Sequence, residues 1–379
     1  MTGAGPLAGV RVVEFVGVGP GPLCGMLLAD MGAQVLRIDR LQPSGLGIDR
    51  PPQFDLLLRG KRTLKMDLKQ PTGVQQALAL VAKADALIEG FRPGTMERIG
   101  LGPEVCLSAN PRLAYGRVTG FGQEGPLASA AGHDLNYIAL AGALHAIGRA
   151  DQPPTPPLNL LGDYAGGAML LAMGLLAAIV HARQTGHGQI VDAAMIDGVN
   201  ALMTPFYGLY AARLHDGPRG TNLLDSGAPY YDVYRCADGQ YVSIAPIERK
   251  FRDVLLGKLR EAGVATDTLP DFDDRPRWPE LRERFTAIFA SRTRDDWCRL
   301  LEGTDSCFAP VLSPQQAIDH PHHRARESFV AIGGIPQPAP APRFSATPKV
   351  RPTPPGPSGD AREWALAWGV DADALSRAH

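Results

Sequence analysis

Short apolar, β-branched runs alternate with helical patterns through the first half of the chain. Val10 to Phe15 is such a run, and it ends in the turn-forming series Gly17-Val18-Gly19-Pro20-Gly21-Pro22. Helical spacing follows from Leu23 to Met31, then a second run from Gln34 to Ile38. Thr72 to Ala82 has apolar positions at helical spacing, and Ala86 to Glu89, Leu113 to Thr119 and Gln189 to Ala193 read as further buried strands. Strands separated by helical patterns predict βαβ units and a parallel sheet covered on both faces, an α/β class. The longest apolar run, Ala165 to Val180, falls short of the roughly 20 residues that span a bilayer and contains glycines, so it reads as a core helix and no membrane span is expected.

Near residue 200 the texture changes. Tyr230 to Cys236 and Gln240 to Ala245 are aromatic and β-branched runs around Ala237-Asp238-Gly239, a hairpin signal. Helical patterns follow at Lys250 to Leu259 and Trp278 to Ala290, which predicts a smaller α+β domain over residues 228–315. Pro336 to Pro357 is proline-rich and is expected to run extended along a surface. An amphipathic helix near Arg362 to Trp368 closes the chain, and there is no internal repeat.

Composition narrows the possibilities. With 379 residues, two structural units are expected, since single cores stop growing at roughly 250–300. The net charge of −1 gives no whole-protein field for nucleic acid, so any polyanion must be held by a local basic cluster. Cys24, Cys106, Cys236, Cys298 and Cys307 form no C-x-x-C pair, which points away from a disulfide framework or structural zinc and towards a reducing compartment. The opening Met1-Thr2-Gly3-Ala4-Gly5-Pro6 is not a secretory signal, and Ser376-Arg377-Ala378-His379 is not a Ser-Lys-Leu address. The cytoplasm is the expected location.

Several segments could carry chemistry. Gly17 and Gly19 begin a dinucleotide fingerprint, and Asp39 lies about where its ribose-binding acid would fall, but Pro22 replaces the third glycine. A tight strand-to-helix turn is the better reading. Arg40, Lys61, Arg62, Lys65, Lys69, Arg92 and Arg98 follow expected strands, at the sheet edge where open α/β folds bind ligands, and could hold phosphates. The alternative is scattered surface charge. In Gly132-His133-Asp134-Leu135-Asn136-Tyr137 a histidine enters a helix. Imidazole, with an ordinary pKa of about 6.5, suits a general base, while a capped helix start with a surface histidine is the plainer reading. Asp163, ahead of the long apolar helix, reads as an N-cap, with a role as acid, base or nucleophile compatible with that. Glu248 precedes a helix. His320-Pro321-His322-His323 lacks partners for a metal and reads as a solvated loop, so no metal is expected.

Taken in order, these segments resemble the family III CoA-transferase superfamily and, within it, the α-methylacyl-CoA racemases. The markers are Gly17 to Pro22, Met66-Asp67-Leu68-Lys69, Glu89-Gly90-Phe91-Arg92-Pro93-Gly94, Gly132 to Tyr137 and Pro156 to Gly167. Further on come Gly227 to Asp232, Ile247-Glu248 and Pro340 to Pro348. The resemblance runs from Leu7 to about Pro348. It implies a large doubly wound, Rossmann-like parallel-sheet domain built from both chain ends, a small α+β domain, and an interlocked homodimer with a shared active site. The expected division is 1–191 (large domain), 192–227 (linker), 228–315 (small domain), 316–335 (linker) and 336–379 (return to the large domain). Departures from the pattern include Ser226 where glycine is usual and Arg249 where proline is common.

The resemblance also implies roles. Coenzyme A, part of the substrate rather than a separate cofactor, would be held by Arg40, Met66, Asp67, Leu68, Lys69, Gly90, Phe91, Arg92 and Arg98. The segment Gly132, Asp134, Leu135, Asn136 and Tyr137 would meet the thioester. Transferases of the superfamily usually have tyrosine or phenylalanine at the His133 position and use the aspartate matching Asp163 as nucleophile. Racemases have histidine there, with a glutamate matching Glu248 beside it across the dimer interface. His133 and Asp163 are therefore expected to flank an α-carbon acidified by its thioester and to exchange a proton through an enolate. Backbone N–H groups near His133 and Asp134 would stabilise the enolate oxygen, at about 3 kcal/mol per donor. A CoA-transferase using Asp163, and a non-catalytic CoA-ester binding protein, are the alternatives. No motif distinguishes branched fatty acyl, sterol side-chain or aryl-propionyl substrates of lipid metabolism.

Overall fold

Neighbouring residues of the first strands are buried in different apolar clusters. Val12, Val35, Ile88 and Ala114 belong to one cluster, while Val13, Leu36, Leu87 and Tyr115 belong to another, and all eight are shut off from solvent. Successive strand side chains point to opposite faces, so this pattern demands cover on both sides. The structure, a computed structural model in which residues 4–42, 45, 47–355 and 361–371 are described, supplies that cover. Met1 to Gly3, Gly356-Pro357 and the terminal Ser376 to His379 lie outside the described residues.

Six parallel strands form the central sheet: β1 (Arg11–Phe15), β2 (Gln34–Asp39), β3 (Lys61–Lys65), β4 (Ala86–Glu89), β5 (Ala114–Thr119) and β6 (Gln189–Ala194). Their order is β3-β2-β1-β4-β5-β6. Strand order reverses between β1 and β4, and an open α/β sheet offers its ligand crevice outside the carboxyl ends at such a point. Helix α1 (Pro20–Asp30) packs on one face through Cys24 and Leu28. Helices α2 (Pro71–Val81) and α3 (Pro103–Ala109) cover the other through Ala77, Leu80 and Cys106. A short helix α4 (Asp134–Leu140) follows β5. A π-helical segment, Leu160–Met169, then runs directly into α5 (Leu170–Thr185). This 26-residue stretch is apolar and long enough to cross a membrane by composition, yet half of it is buried within the fold, with Leu171, Leu175 and Ala178 in the α1-side cluster.

The first compact unit comprises the chain up to Ala141, Leu158–Leu202, and the chain from Arg326 on. The second comprises Gly142–Pro157 and Met203–Ala325. Where the sequence pattern suggested a linker from 192, the chain forms helix α6 (Met195–Ala211), and the first unit runs on through its opening turns. Gly198, Pro205 and Gly208 inside α6 weaken its helical signature.

The second unit holds the expected hairpin, β7 (Asp232–Arg235) and β8 (Tyr241–Ile244), joined by an unforeseen third antiparallel strand, β9 (Phe308–Val311). Helices α7 (Arg249–Glu261), α8 (Trp278–Ala290) and α9 (Arg294–Leu301) surround a core of Tyr234, Val242, Leu255, Phe285, Phe289 and Trp297. Ser226 adopts a positive φ of 69°, the left-handed conformation that glycine takes without strain.

The returning chain forms an antiparallel hairpin, β10 (Phe329–Ile332) and β11 (Ile335–Pro338), across the end of the expected linker and the start of the proline-rich run, and ends in α10 (Ala361–Ala367). Ala361, Ala365 and Trp368 complete the cluster beneath α2. A buried network ties this return to the N-terminal part. Arg59 donates to both carboxylate oxygens of Asp30 at 3.1 and 2.6 Å, to Gln337 Oε1 at 2.9 Å and to the Pro338 carbonyl at 2.7 Å. All three side chains are buried.

Removing one partner of a buried ion pair strands the other charge, a loss of about 3–5 kcal/mol. Arg59→Ala should therefore lower the urea-unfolding free energy by about that much. Lys349→Ala, which breaks the exposed pair with Glu327, should leave the curve where it was.

Candidate active site

Beyond β5 the chain is thinned to glycine at two points, and one aromatic ring explains both. A Cβ on Gly120 would stand 2.1 Å from Tyr137 Cε1, and one on Gly132 would stand 2.8 Å from the same atom. The Tyr137 ring lies against Phe121 edge to face at 5.0 Å between centroids, and its hydroxyl donates to the Gly132 carbonyl. Burial, with the charges of Asp163 and Asp134, pushes the phenol up to about 12. Tyr137 thus anchors the turn that carries His133, with its hydroxyl already engaged. His133 is exposed at the N-cap of α4, and its backbone N–H donates to Asn136 Oδ1 at 3.0 Å. Leu135 is largely exposed beside it.

Asp134 turns inward. It is 4% exposed, and its Oδ2 accepts the backbone N–H groups of Gly162 at 2.6 Å and Asp163 at 2.7 Å. The histidine-bearing turn and the aspartate-bearing turn are thereby joined. A Cβ at position 162 would come within 2.8 Å of that carboxylate oxygen, so glycine is required there.

Asp163 does not cap the long helix as its position suggested. It lies inside the π-helical segment, whose N-cap is Asn159. The Asn159 side-chain amide donates to Asp163 Oδ2 at 3.0 Å, a contact the sequence reading missed although the four-residue spacing allows it. The glycine turn after β1 faces the same carboxylate. Gly19 has φ 74°, and a Cβ on it would lie 3.1 Å from Asp163 Oδ2. Burial holds the Asp163 carboxyl above its ordinary range. The Asn159 hydrogen bond and His133 oppose that shift, and the Asp134 charge reinforces it. A carboxyl shifted upwards is better suited to donate a proton than an ordinary one, and an exposed imidazole lies on the adjoining turn.

Of the residues expected to hold coenzyme A, Leu68, Lys69 and Arg98 line one cleft of about 460 Å³ together with Pro71, Val74 and Ile99. Arg40 and Arg92 are exposed beyond β2 and β4, as is Gly90. Asp67 accepts the Lys69 backbone N–H at 3.0 Å, and the Phe91 N–H donates to Glu89 at 2.8 Å. The Met66 side chain is buried in the sheet core, which leaves only its backbone for a ligand. Lys61, grouped with the phosphate candidates by spacing, is turned away from them. It is fully buried and paired with Glu14 at 2.5 Å, because α1 passes so closely that a Cβ on Gly25 would collide with that carboxylate. Arg62 stacks over Trp364 at 5.3 Å.

Glu248 stands in the second unit as the exposed N-cap of α7. His320 pairs with Glu302 at 2.8 Å, and among the described residues no group of three or more His, Cys, Asp or Glu is arranged to hold a metal ion.

Residues 7–361 match CoA-transferase family III, and the chain is a member of that family. It is 43% identical over 345 residues to the mouse protein named alpha-methylacyl-CoA racemase, covering 91% of this chain and 88% of that one. It is 32% identical to the succinyl-CoA–D-citramalate CoA-transferase of Chloroflexus aurantiacus, covering 90% and 89%. A CAIB/BAIF family protein from Brucella suis shares the fold with a TM-score of 0.79 at 24% identity, covering 97% and 100%.

The raised carboxyl of Asp163 fixes a pH dependence of stability. The fold favours its protonated form, so the contribution is fully present below the ordinary carboxylate value and is lost as pH rises through the raised one. Asp163→Asn, neutral throughout, should gain stability relative to wild type as pH increases from 4 to 8, measured as the difference in urea midpoints. A constant difference across that range would contradict the assignment.

Proposed function

We propose that this protein is a racemase that interconverts (2R)- and (2S)-2-methylacyl-CoA thioesters by proton transfer at the α-carbon. The observation that carries the reading is the Asp134 link, which holds the His133 turn against the Asp163 turn. The 43% identity to a named racemase over most of both chains supports it.

A thioester carbonyl accepts the electrons of a departing α-proton as an enolate. His133 removes the proton from one face, and protonated Asp163 returns another to the opposite face. The enolate oxygen is held meanwhile by N–H groups at the start of α4, which have no partner within the helix. After one turnover His133 is protonated and Asp163 ionised, which is the starting state for the reverse direction. Solvent protons enter at this stage. The scheme uses only side chains and backbone of the protein. Glu248 of a second copy would hold the imidazole, in a homodimer supported by the exposed Leu160, Met169, Met173 and Val180 along one helix.

A second reading, acyl transfer with Asp163 as nucleophile, is favoured by the part-exposed Asp163 carboxylate and the transferase relative. One incubation separates them. Held in heavy water with (2R)-2-methylacyl-CoA and no acceptor acid, the protein should introduce α-deuterium and produce the 2S epimer. A transferase or a silent binder would do neither. His133→Ala should slow exchange by about 10²–10⁴-fold. Lys69→Ala and Arg98→Ala should each raise KM for the thioester about tenfold with kcat nearly unchanged, the loss of one charge-assisted phosphate contact.

A further inference from the structure

The π-helical segment Leu160–Met169 is capped from outside itself. Its first N–H groups have no acceptor one π-turn earlier within the segment, as at any helix start. Two of them, Gly162 and Asp163, are satisfied by a single oxygen from a different element, Asp134 Oδ2. π-Helical turns are uncommon and concentrate at functional sites. Asp163 lies within this turn. The other oxygen, Asp134 Oδ1, is buried and has no hydrogen-bond partner. A carboxylate kept so poorly satisfied in a 4%-exposed position is costly, and capping two N–H groups alone would be done as well by a neutral side chain.

Resting on the racemase reading, we propose that the Asp134 side chain is a positioning residue: through two hydrogen bonds it pins the π-helical turn that carries Asp163 against the turn that carries His133. Sequence adjacency fixes Asp134 to His133, and the two hydrogen bonds fix it to the backbone of Asp163, so both reacting groups share one rigid support. The charged or titrating groups around the Asp163 carboxyl are His133, Asp134 and Tyr137, all from the α4 turn. Gly19, the residue before α1, also approaches the carboxylate, and Asn159 is neutral. Two influences raise the Asp163 carboxyl, burial and the Asp134 charge, and only the charge can be removed by a substitution that touches no reacting side chain.

The test compares Asp134→Ala with Asp134→Asn. Asparagine keeps an oxygen that can accept both N–H groups but carries no charge. Asp134→Ala should lower kcat for α-deuterium exchange about 10²-fold, the cost of misplacing a reacting group by about 1 Å, with KM changed less than about threefold. Asp134→Asn should retain most of kcat while the pH limb belonging to Asp163 moves to lower pH. Two readouts are independent of turnover. In peptides spanning 158–169, amide hydrogen exchange should quicken in Asp134→Ala and stay slow in Asp134→Asn, and the Asp163 carboxyl followed by carbon-13 NMR should titrate lower in Asp134→Asn. Unchanged exchange protection and an unshifted Asp163 titration would overturn the proposal, as would a rise in KM at constant kcat. If Asp134→Ala does not fold, the Asp134→Asn titration decides. If wild type itself exchanges no α-hydrogen, the racemase reading fails, and the amide and carboxyl readouts still decide the positioning role.

Discussion

Two consecutive backbone N–H groups donating to one buried oxygen fix the relation between the two candidate reacting side chains. The link engages the Asp163 backbone rather than its carboxylate, of which one oxygen, Oδ2, accepts from Asn159. His133 is held through its backbone N–H and through Tyr137, which ties down the preceding residue. Asp163 is held through its own amide. The exposed His133 ring and the second Asp163 oxygen are not used by this link, which leaves a carboxylate oxygen in Asp134 buried without a partner. Such local cost is common where a fold must present chemistry rather than only pack.

Glycine serves this arrangement in a specific way. At positions 19, 120, 132 and 162 a single added carbon would meet the Asp163 carboxylate, the Tyr137 ring or the Asp134 carboxylate. The turn after β1, which imitates the beginning of a nucleotide-binding loop, is therefore explained by its contact with Asp163. Pro20 and Pro22 remove two N–H groups from the first turn of α1, so this helix start is also a poor phosphate cradle.

Much of the fold could be read from the chain because strands buried on both faces leave continuous apolar runs. β1, β2, β4 and β5 were legible for that reason, and the exposed edge strand β6 from its short β-branched run. β3 was not: Lys61, Arg62 and Lys65 make it look like a solvated loop, whereas it pairs along β2 and buries Lys61 against Glu14. β10 and β11 were hidden by Pro336 and Pro338. At the site, residue types and their order identified His133 and Asp163 through a resemblance, while spacing alone left each with a plainer explanation. The role of the Asp134 side chain and the Asn159 contact depend on which way a π-helical turn faces. No periodicity encodes that.

The two halves of the sheet unit are separated by more than a hundred residues of another unit, and Arg59 waits with Asp30 for Gln337 and Pro338. During synthesis the chain emerges in order, so the face beneath α2 stays uncapped until Ala365 and Trp368 have left the ribosome. Vectorial folding can close the second unit early but not the first. The last part of that cluster is therefore supplied only when the C-terminal helix is made.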